Sequence, residues 1–194
     1  MDKDTYHHGD LKNELIEKGL VLLNSEGAQG FSLRKVASMC GVSHNAPYKH
    51  FKDKDGLIHE IIIEVWKKFH LALLEVTKLY SNEPRLEIVE MGKAYVRFMV
   101  ENPEYLKILF LSDNGHPVII EDNKFYDYKD SAFDVFKESA ERFLEVTNTD
   151  KNLYMEKTLT MWSMVHGLSI LISKESIMYK GDYLELVEKI IKNC

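Results

Sequence analysis

The sequence has few of the residues that interrupt a chain or cross-link it. Among 194 residues there are 4 prolines, 10 glycines and 2 cysteines. So few breaks predict an ordered chain, and the two cysteines, Cys40 and Cys194, are too few for a disulfide framework. Because Cys40 falls among apolar residues at helical spacing, we expect it to be a small side chain of the core.

Long apolar runs are missing too. No stretch approaches the roughly 20 uninterrupted apolar residues of a membrane span, and the N-terminus lacks the apolar segment of a signal peptide. We therefore predict a cytoplasmic protein that does not engage a membrane. Alternating strand patterns of convincing length are absent, whereas apolar residues recur at helical spacing, so the expected fold class is all-α.

Sequence patterns for metal binding and catalysis are lacking as well. The 31 acidic residues and 8 histidines are enough for a carboxylate-bridged metal site in a helical bundle. However, no glutamate is followed three residues later by a histidine, and no two histidines stand four residues apart. A phosphate-binding glycine loop and a nucleophile elbow are also absent. We expect no cofactor, no metal and no enzymatic activity, and we interpret the adjacent His7 and His8, near the chain start, as part of an arm or a disordered segment and not as a metal site.

A helix-turn-helix pattern stands near the N-terminus, between Ser32 and Phe51. Ser32 and Ser43 are suitable N-caps, and Gly41 stands where a first helix must stop and the chain must reverse. The buried face of this first helix is formed by Leu33, Val36, Ala37 and Cys40. We predict a second short helix, the reader, that starts at or just after Ser43 with Pro47 as about its fourth residue. The side chains of this reader that suit base edges and phosphates are Ser43, His44, Asn45, Tyr48 and Lys49.

Charge is distributed unevenly along the chain. The net charge of −6 by itself argues against a polyanionic partner. Residues 31–54, however, carry five basic side chains and one acidic side chain, a net of +4. A basic window of this kind fits a helix-turn-helix that binds DNA, and the alternative is an ordinary solvated basic face.

The rest of the chain is also predicted to be helical. A supporting helix, Gly9 to Glu26, is broken by Gly27 and Gly30, and a linking helix of about seven turns follows Asp53 as its N-cap. The apolar stripe of the linking helix is Leu57, Ile58, Ile61, Ile62, Val65, Phe69, Leu73 and Val76. The later predicted helices are Pro84 to Glu101, Pro103 to Leu111 capped by Asn102, Phe125 to Thr147, Leu153 to Ser173, and Tyr183 to Asn193 capped by Asp182.

The longest predicted irregular segment is Ser112 to Lys124, which is either a lid or a surface loop. We predict two domains. Residues 1–56 form a DNA-binding domain, and residues 57–194 form an effector-binding and dimerisation domain.

The N-terminal motifs occur in a definite order: Ser-Leu-Arg-Lys-Val-Ala from Ser32, Gly-Val-Ser from Gly41, Tyr-Lys-His-Phe from Tyr48, then Lys54 and Leu57. Over about residues 9–58 this order resembles the DNA-binding domain of TetR-type transcriptional regulators. Other segments are similar to one subgroup of that family, which has a Trp-His-Gly motif: Tyr6 to Leu11, Ala46 to Tyr48, and Met161 to Leu168.

The resemblance implies an all-helical homodimer that binds a palindromic double-stranded operator, with a body that binds a small-molecule effector and loosens the DNA. Such proteins are usually repressors. By position, the implied DNA contacts are Ser32, Arg34 and Lys54 on phosphates, Tyr48 on the backbone, and His44, Asn45 and Lys49 on bases, with Ser43 and His50 in the same motifs. The alternative is a DNA-binding regulator or architectural protein without an effector.

An effector pocket is predicted among the body helices. Its candidate residues are Tyr95, Phe98, Met99, Phe110, Phe133, Phe136, Trp162 and His166. A largely apolar or aromatic effector suits this set, whereas aromatic residues at helical spacing also fit a plain core. Dimerisation is predicted on the last two long helices, through Leu168, Ile170, Leu171, Ile172, Ile177, Leu184, Val187, Ile190 and Ile191. The alternative is that these apolar residues all belong to the core of one chain.

Overall fold

The computed structural model describes residues 11–111, 117–126 and 131–193. Within these residues the protein is an all-α fold, and its only sheet has two strands of three residues each, so the predicted fold class is confirmed. The elements in chain order are α1 (Leu11–Gly30), α2 (Leu33–Met39), α3 (Lys54–Tyr80), α4 (Pro84–Glu101), α5 (Pro103–Phe110), β1 (Ile119–Glu121), β2 (Lys124–Tyr126), α6 (Ala132–Val146), α7 (Tyr154–Ser173) and α8 (Tyr183–Lys192). Two short 3₁₀ helices lie at Pro47–Lys49 and Lys151–Leu153.

The chain divides into two compact units, Met1–Glu64 and Val65–Cys194. Helix α3 runs through the division, so its first part belongs to the N-terminal unit. Leu57 and Ile61 of α3 pack against Gly19 of α1, where a Cβ atom would come within 2.8 Å of Ile61 Cδ1. The predicted domain boundary after residue 56 would instead assign this packed part of α3 to the C-terminal domain.

Helix α1 is the supporting helix of the N-terminal unit. Its buried residues are Leu15, Ile16, Gly19, Leu22 and Leu23. Gly27 has φ 67° and ψ 179°, so the regular helix is interrupted there, and the predicted break at Gly27 is confirmed. The predicted start at Gly9 lies outside the described residues.

Helix α3 begins as its sequence predicts. Oδ1 of Asp53 accepts a hydrogen bond from the backbone N–H of Gly56 at 2.8 Å, which confirms Asp53 as the N-cap. All eight apolar residues of the predicted stripe are buried. The helix is 27 residues long, close to the expected seven turns.

Helix α4 is the central element of the C-terminal unit, and its bounds match the prediction. It packs against α5, α6, α7 and α8. A Cβ atom on Gly92 would collide with Ile191 of α8 and would lie 3.3 Å from Val165 Cγ1 of α7. Glu87 of α4 is fully buried and is paired with Arg142 of α6 by hydrogen bonds of 2.6 and 3.1 Å. Close backbone approach and a buried ion pair therefore tie α4 to its neighbours.

The predicted cap of α5 is wrong. Asn102 stands at the N-cap position, but its side chain makes no capping hydrogen bond. Its Nδ2 instead donates to the carbonyl of Phe98 at 2.9 Å, which ties the side chain to the last turn of α4. Asn102 is the single residue between α4 and α5, so its side chain cannot both bind the last turn of α4 and cap α5.

The predicted helix from Phe125 to Thr147 begins too early. Phe125 lies in β2, which pairs antiparallel with β1, and α6 begins at Ala132 after Ser131, whose Oγ accepts from Asp134 N at 2.9 Å. The turn residues Asp122 and Asn123 have φ of 49° and 57°, the left-handed region that a two-residue hairpin turn requires. Strands of three residues are too short to produce a visible alternation.

The last two helices are close to their predictions. Leu153, the predicted first residue of α7, belongs instead to the 3₁₀ turn that precedes the helix. Asp182 caps α8 as predicted, since its Oδ1 accepts from Leu184 N at 2.8 Å. None of the described helices combines the length and the apolarity that crossing a membrane demands.

Candidate functional site

Helix α2 precedes the turn that leads into the reader segment, and both ends of this helix are as predicted. Oγ of Ser32 accepts from Lys35 N at 3.3 Å at the N-terminus of the helix. Leu33, Val36, Ala37 and Cys40 are buried, which confirms the predicted face. Burial raises the pKa of the Cys40 thiol, so Cys40 is an inert core residue.

The turn after α2 is a Schellman motif. Gly41 has φ 67°, and its N–H donates to Ser38 O at 3.1 Å, while Val42 N–H donates to Ala37 O at 3.0 Å. Nothing lies within 4 Å of a Cβ built on Gly41, so the turn needs glycine for its backbone angle and not for space. The predicted stop at Gly41 is confirmed.

The reader segment differs from the prediction. Instead of a helix that starts at Ser43, residues 44–46 form a turn and Pro47–Lys49 form a 3₁₀ helix whose N-cap is Ala46. Ala46 N–H donates to Ser43 O at 2.9 Å. In an α-helix, the N–H of residue 47 would donate to the carbonyl of Ser43, but proline has no N–H. The segment therefore forms the tighter 3₁₀ helix. Pro47 is therefore the first residue of the 3₁₀ helix and not the fourth of an α-helix.

The side chains of the reader segment face solvent while Pro47 is buried. The exposed residues are Ser43, His44, Asn45, Tyr48, Lys49 and His50. The ring of Tyr48 is 55% exposed. The structure thus places six of the predicted DNA-contacting residues together at one surface segment.

The basic side chains around the reader differ in their partners. Lys35 is engaged by Glu26 and by the carbonyl of Gly30, the latter at 3.1 Å. Lys54 Nζ donates to Ala28 O at 3.4 Å, which holds it beside the end of α1. Of the three predicted phosphate contacts, Ser32, Arg34 and Lys54, the side chain of Arg34 is exposed, whereas Lys35 is paired within its own unit.

In the C-terminal unit, a hydrogen-bonded relay joins α4 to α7. Nε1 of Trp162 donates to the hydroxyl of Tyr95 at 3.2 Å, and that hydroxyl lies 3.0 Å from Nδ1 of His166. Burial raises the pKa of the Tyr95 hydroxyl and lowers the pKa of His166. Both groups are therefore neutral near pH 7.

The predicted pocket residues form one aromatic cluster with this relay. The ring of Phe110 lies 4.7 Å from that of His166, and the ring of Phe133 lies 4.7 Å from that of Trp162. The first contact is edge to face, a favourable arrangement of aromatic rings, and the second is tilted. Trp66, Phe69 and Phe125 also belong to the cluster without having been predicted as pocket residues, and they contact Phe110, Tyr95 and Phe133 respectively.

The cluster has an inner and an outer part. Tyr95, Met99 and Phe136 are at most 1% exposed, so they support the site from the core. Phe133 is also buried, at 7% exposed. The half-buried predicted residues are Phe98, Phe110, Trp162 and His166. Among the residues that the structure describes, no group of three or more metal-ligating side chains occurs.

Comparisons with known proteins identify the family. The sequence profile described as "Bacterial regulatory proteins, tetR family" matches residues 15–61, and the profile described as "Tetracyclin repressor-like, C-terminal domain" matches residues 88–193. The chain belongs to the TetR family. It is a TetR-family transcriptional regulator that binds DNA, and regulators of this family act as dimers with ligand-binding C-terminal domains.

Individual relatives of this TetR-family chain agree with that assignment. An HTH-type transcriptional regulator of Staphylococcus aureus is 23% identical over 191 residues, which cover 97% of this chain and 99% of the relative. A solved structure from a Rhodococcus species, a protein with unknown function, has a TM-score of 0.76 at 21% identity and covers 98% of this chain and 96% of that chain. A TetR/AcrR-family regulator from Thermobifida fusca has a TM-score of 0.61 at 13% identity, with coverages of 95% and 97%. At these identities, the solved structures show the fold alone.

The two TetR-family matches cover the predicted sites without assigning roles to single residues. All predicted DNA contacts lie within residues 15–61, and all predicted pocket residues lie within residues 88–193. The residue roles and the Trp-His-Gly subgroup therefore stay predictions.

Proposed function

We propose that this TetR-family regulator is a repressor that binds a palindromic operator as a homodimer and releases it when a small molecule binds the C-terminal aromatic cluster. The observation that carries the proposal is the placement of the two candidate sites. The reader segment presents polar side chains to solvent, whereas the cluster surrounds a hydrogen-bonded relay with half-buried rings. The first arrangement suits a large external polymer, and the second suits a small ligand.

Operator contact is proposed for the reader segment and the cations beside it. Ser43, His44 and Asn45 offer hydroxyl, imidazole and amide groups at the start of the segment, and Tyr48 and Lys49 offer a phenol and an ammonium group within the 3₁₀ helix. The phosphate contacts are proposed for Arg34 and Lys54, with Ser32 and His50 at the edges. Oγ of Ser32 also caps α2, so its contact would use the remaining capacity of the hydroxyl.

A second copy of the chain is the proposed partner of α7 and α8. Helix α7 is apolar on most of its sides, yet its buried residues are only Thr158, Val165 and Ser169 among those described. Leu171 and Ile177 are 43% and 40% exposed. The half-buried members of the predicted dimer face are Leu168, Ile170, Ile172, Leu184, Ile190 and Ile191. Val187 does not belong to it, because Val187 is 0% exposed and packs inside its own unit.

The oligomeric state is tested by light scattering after size exclusion. The chain has a mass of 22.6 kDa, and we expect a particle of twice that mass at micromolar concentration. Replacement of Leu171 by Glu places a charge on the proposed face and should favour the monomer. A monomeric mass for the unaltered chain would contradict the homodimer.

Operator binding is tested by selecting genomic DNA fragments on the purified full chain and then measuring gel shifts on the selected site. We expect Tyr48→Ala and Lys49→Ala each to weaken binding by roughly 5- to 150-fold, the range for one lost contact of about 1–3 kcal/mol. Lys78→Ala, which removes an exposed cation of the C-terminal unit, is the matched control and should bind like the unaltered chain. Equal operator affinities of the unaltered chain and all three variants would show that the operator binds to another surface.

Release of the operator distinguishes the effector-responsive repressor from a regulator without an effector. For an allosteric regulator, a bound ligand weakens DNA binding by its coupling free energy, typically about 1–3 kcal/mol. The gel shift is therefore repeated with the uncharged naphthyl ketone described below. If the ketone binds but the affinity of the protein for the operator does not change, the regulator without an effector is favoured.

A further inference from the structure

The hydrogen bonds of the relay determine which nitrogen of His166 carries the proton. The indole N–H of Trp162 can only donate, so the hydroxyl oxygen of Tyr95 is the acceptor at 3.2 Å. Tyr95 is 1% exposed, and its own hydrogen has Nδ1 of His166, at 3.0 Å, as its acceptor among the described residues. Nδ1 is therefore unprotonated, and the neutral ring carries its hydrogen on Nε2. His166 thus offers one N–H donor.

The rings around this donor carry no fixed charge. Phe110 packs edge to face against the imidazole at 4.7 Å, and Trp162 lies one helical turn away on α7 at 6.3 Å. Phe69 and Phe136 also contact the ring of Tyr95, and Phe133 contacts that of Trp162. A cation occurs at the margin, where Lys68 Nζ stands 5.8 Å from the ring of Tyr105. Among the described residues, no charged side chain contacts the ring of His166, so a charged ligand beside it would lose its hydration without gaining a counter-charge from them.

A second polar atom near the cluster lacks a partner. Nδ1 of His70 is buried and has no hydrogen-bond partner within the described part of the chain. His70 follows Phe69, whose ring contacts Tyr95, and lies one turn after Trp66, whose ring packs on Phe110 at 5.4 Å. A buried polar atom without a partner is unfavourable, so a water or a polar ligand group would be favoured beside this nitrogen.

We infer that the cluster takes an uncharged aromatic ligand that carries a hydrogen-bond acceptor such as a carbonyl oxygen, and that Nε2–H of His166 donates to this acceptor. The inference rests on the proposed effector function and specifies its ligand class. The rings of Phe110 and Trp162 supply the contacts for the aromatic part of the ligand.

The test uses three naphthalenes substituted at the same ring position: methyl naphthyl ketone, ethylnaphthalene and naphthoate. They share one ring system and differ in having an uncharged acceptor, no acceptor, or a negative charge. The chain has 2 tryptophans, Trp66 and Trp162, and both belong to the cluster, so quenching of intrinsic fluorescence reports on binding there. Binding to the unaltered full chain gives the ligand preference without any variant.

We expect the ketone to bind about 3- to 10-fold more tightly than ethylnaphthalene, the gain from one hydrogen bond, and at least roughly tenfold more tightly than naphthoate. His166→Phe keeps a ring but removes the donor, so the advantage of the ketone over ethylnaphthalene should disappear. His166→Gln keeps both an acceptor for Tyr95 and an N–H donor, and it should restore the advantage. His59→Gln, an exposed histidine of α3, is the control and should behave like the unaltered chain.

Four results would overturn the inference: tightest binding of naphthoate, equal binding of ketone and ethylnaphthalene, an advantage that survives His166→Phe, or no quenching by any probe. Gel shifts with the same protein separate these results from a failure of the proposed function. If naphthoate binds most tightly and releases the operator, the ligand class is wrong and the effector-responsive repressor stands. If the ketone preference holds but the operator is neither bound nor released, the repressor proposal fails and the ligand class stands.

Discussion

The two units of the molecule place their polar groups in opposite ways. In the N-terminal unit the polar side chains of the reader segment face solvent, and Tyr48 is 55% exposed. In the C-terminal unit the important polar groups are inside: Tyr95 is 1% exposed and Glu87 is 0% exposed. A surface that binds a polymer keeps its groups hydrated until the partner arrives, whereas a ligand site in a core must satisfy its polar groups within the chain.

The same difference applies to ion pairs. Lys35 and Glu26 of the N-terminal unit form a pair in which the side chains are 51% and 40% exposed. Arg142 and Glu87 of the C-terminal unit form a bidentate pair in which the carboxylate is fully buried. Water reaches both partners of the first pair, whereas in the second pair it reaches only the guanidinium, which is 31% exposed, so loss of the partner has very different consequences for the two carboxylates.

The largest expected effect therefore comes from Arg142→Met. It leaves the Glu87 carboxylate buried without a partner, which should lower the free energy of unfolding by about 3–5 kcal/mol. Lys35→Ala, the counterpart in the N-terminal unit, should cost at most about 1 kcal/mol. Chemical denaturation is followed by circular dichroism for the whole chain and by tryptophan fluorescence for the C-terminal unit, which holds both Trp66 and Trp162.

A double variant completes this comparison. Glu87→Leu combined with Arg142→Met removes both charges, so most of the stability lost in Arg142→Met should return. Equal losses for Arg142→Met and Lys35→Ala would contradict the assigned importance of the buried pair.

Two glycines give the next largest effects, for different reasons. Gly92 is in a helix, where a Cβ atom meets Ile191 and Val165, so Gly92→Ala should cost about 1–3 kcal/mol by overpacking. Gly41 has open space but φ 67°, so Gly41→Ala should cost about 1–2 kcal/mol through the backbone alone. Both losses are measured by denaturation of the full chain.

Second substitutions separate the two causes. Ile191→Val removes the Cδ1 atom that a Cβ on Gly92 would meet, so it should recover part of the loss in Gly92→Ala. Gly41→Asn should cost less than Gly41→Ala, because asparagine tolerates the left-handed region. If Ile191→Val gave no recovery, steric conflict between α4 and α8 would be the wrong explanation.

Helices with strong end signals were predictable from sequence. Pro84 at the first position fixed the start of α4, and the carboxylates of Asp53 and Asp182 fixed the starts of α3 and α8, because each signal acts through its own local backbone. For the segment after the turn at Gly41, the predicted α-helix is wrong, because the structure has a 3₁₀ helix at Pro47–Lys49. The prediction treats Pro47 as a residue that an α-helix tolerates at a small energetic cost. Its missing N–H instead replaces the α-helical hydrogen bonds with those of a 3₁₀ helix.

The composition of the aromatic cluster was only partly predictable. Tyr95, Trp162 and His166 were grouped correctly, but their relay depends on the packing of α4 against α7, which no local signal encodes. Phe69 was recognised only as part of the α3 stripe, and Phe125 was assigned to a helix. Both reach the cluster through tertiary contacts, since Phe69 lies 5.0 Å from Tyr95 and Phe125 lies 5.0 Å from Phe133.

The smallest expected effect is a pH dependence confined to the C-terminal unit. Burial lowers the pKa of His166 in the folded chain below its ordinary value of 6.5. Protonation of Nδ1 would also turn the ring into a donor toward Tyr95 and leave the buried phenol hydrogen without its acceptor. As the pH falls through about 6.5, the unfolded chain therefore takes up a proton that the folded chain does not, and the free energy of unfolding decreases. The stability contributed by the neutral ring is fully present above this pH.

Tryptophan fluorescence should report a steeper loss of stability between about pH 7.5 and about pH 5.5 for the unaltered chain than for His166→Gln, which cannot titrate in this range. His59→Gln, which removes an exposed histidine of the N-terminal unit, should keep the steeper slope. Parallel profiles for all three proteins would mean that the relay does not hold His166 neutral.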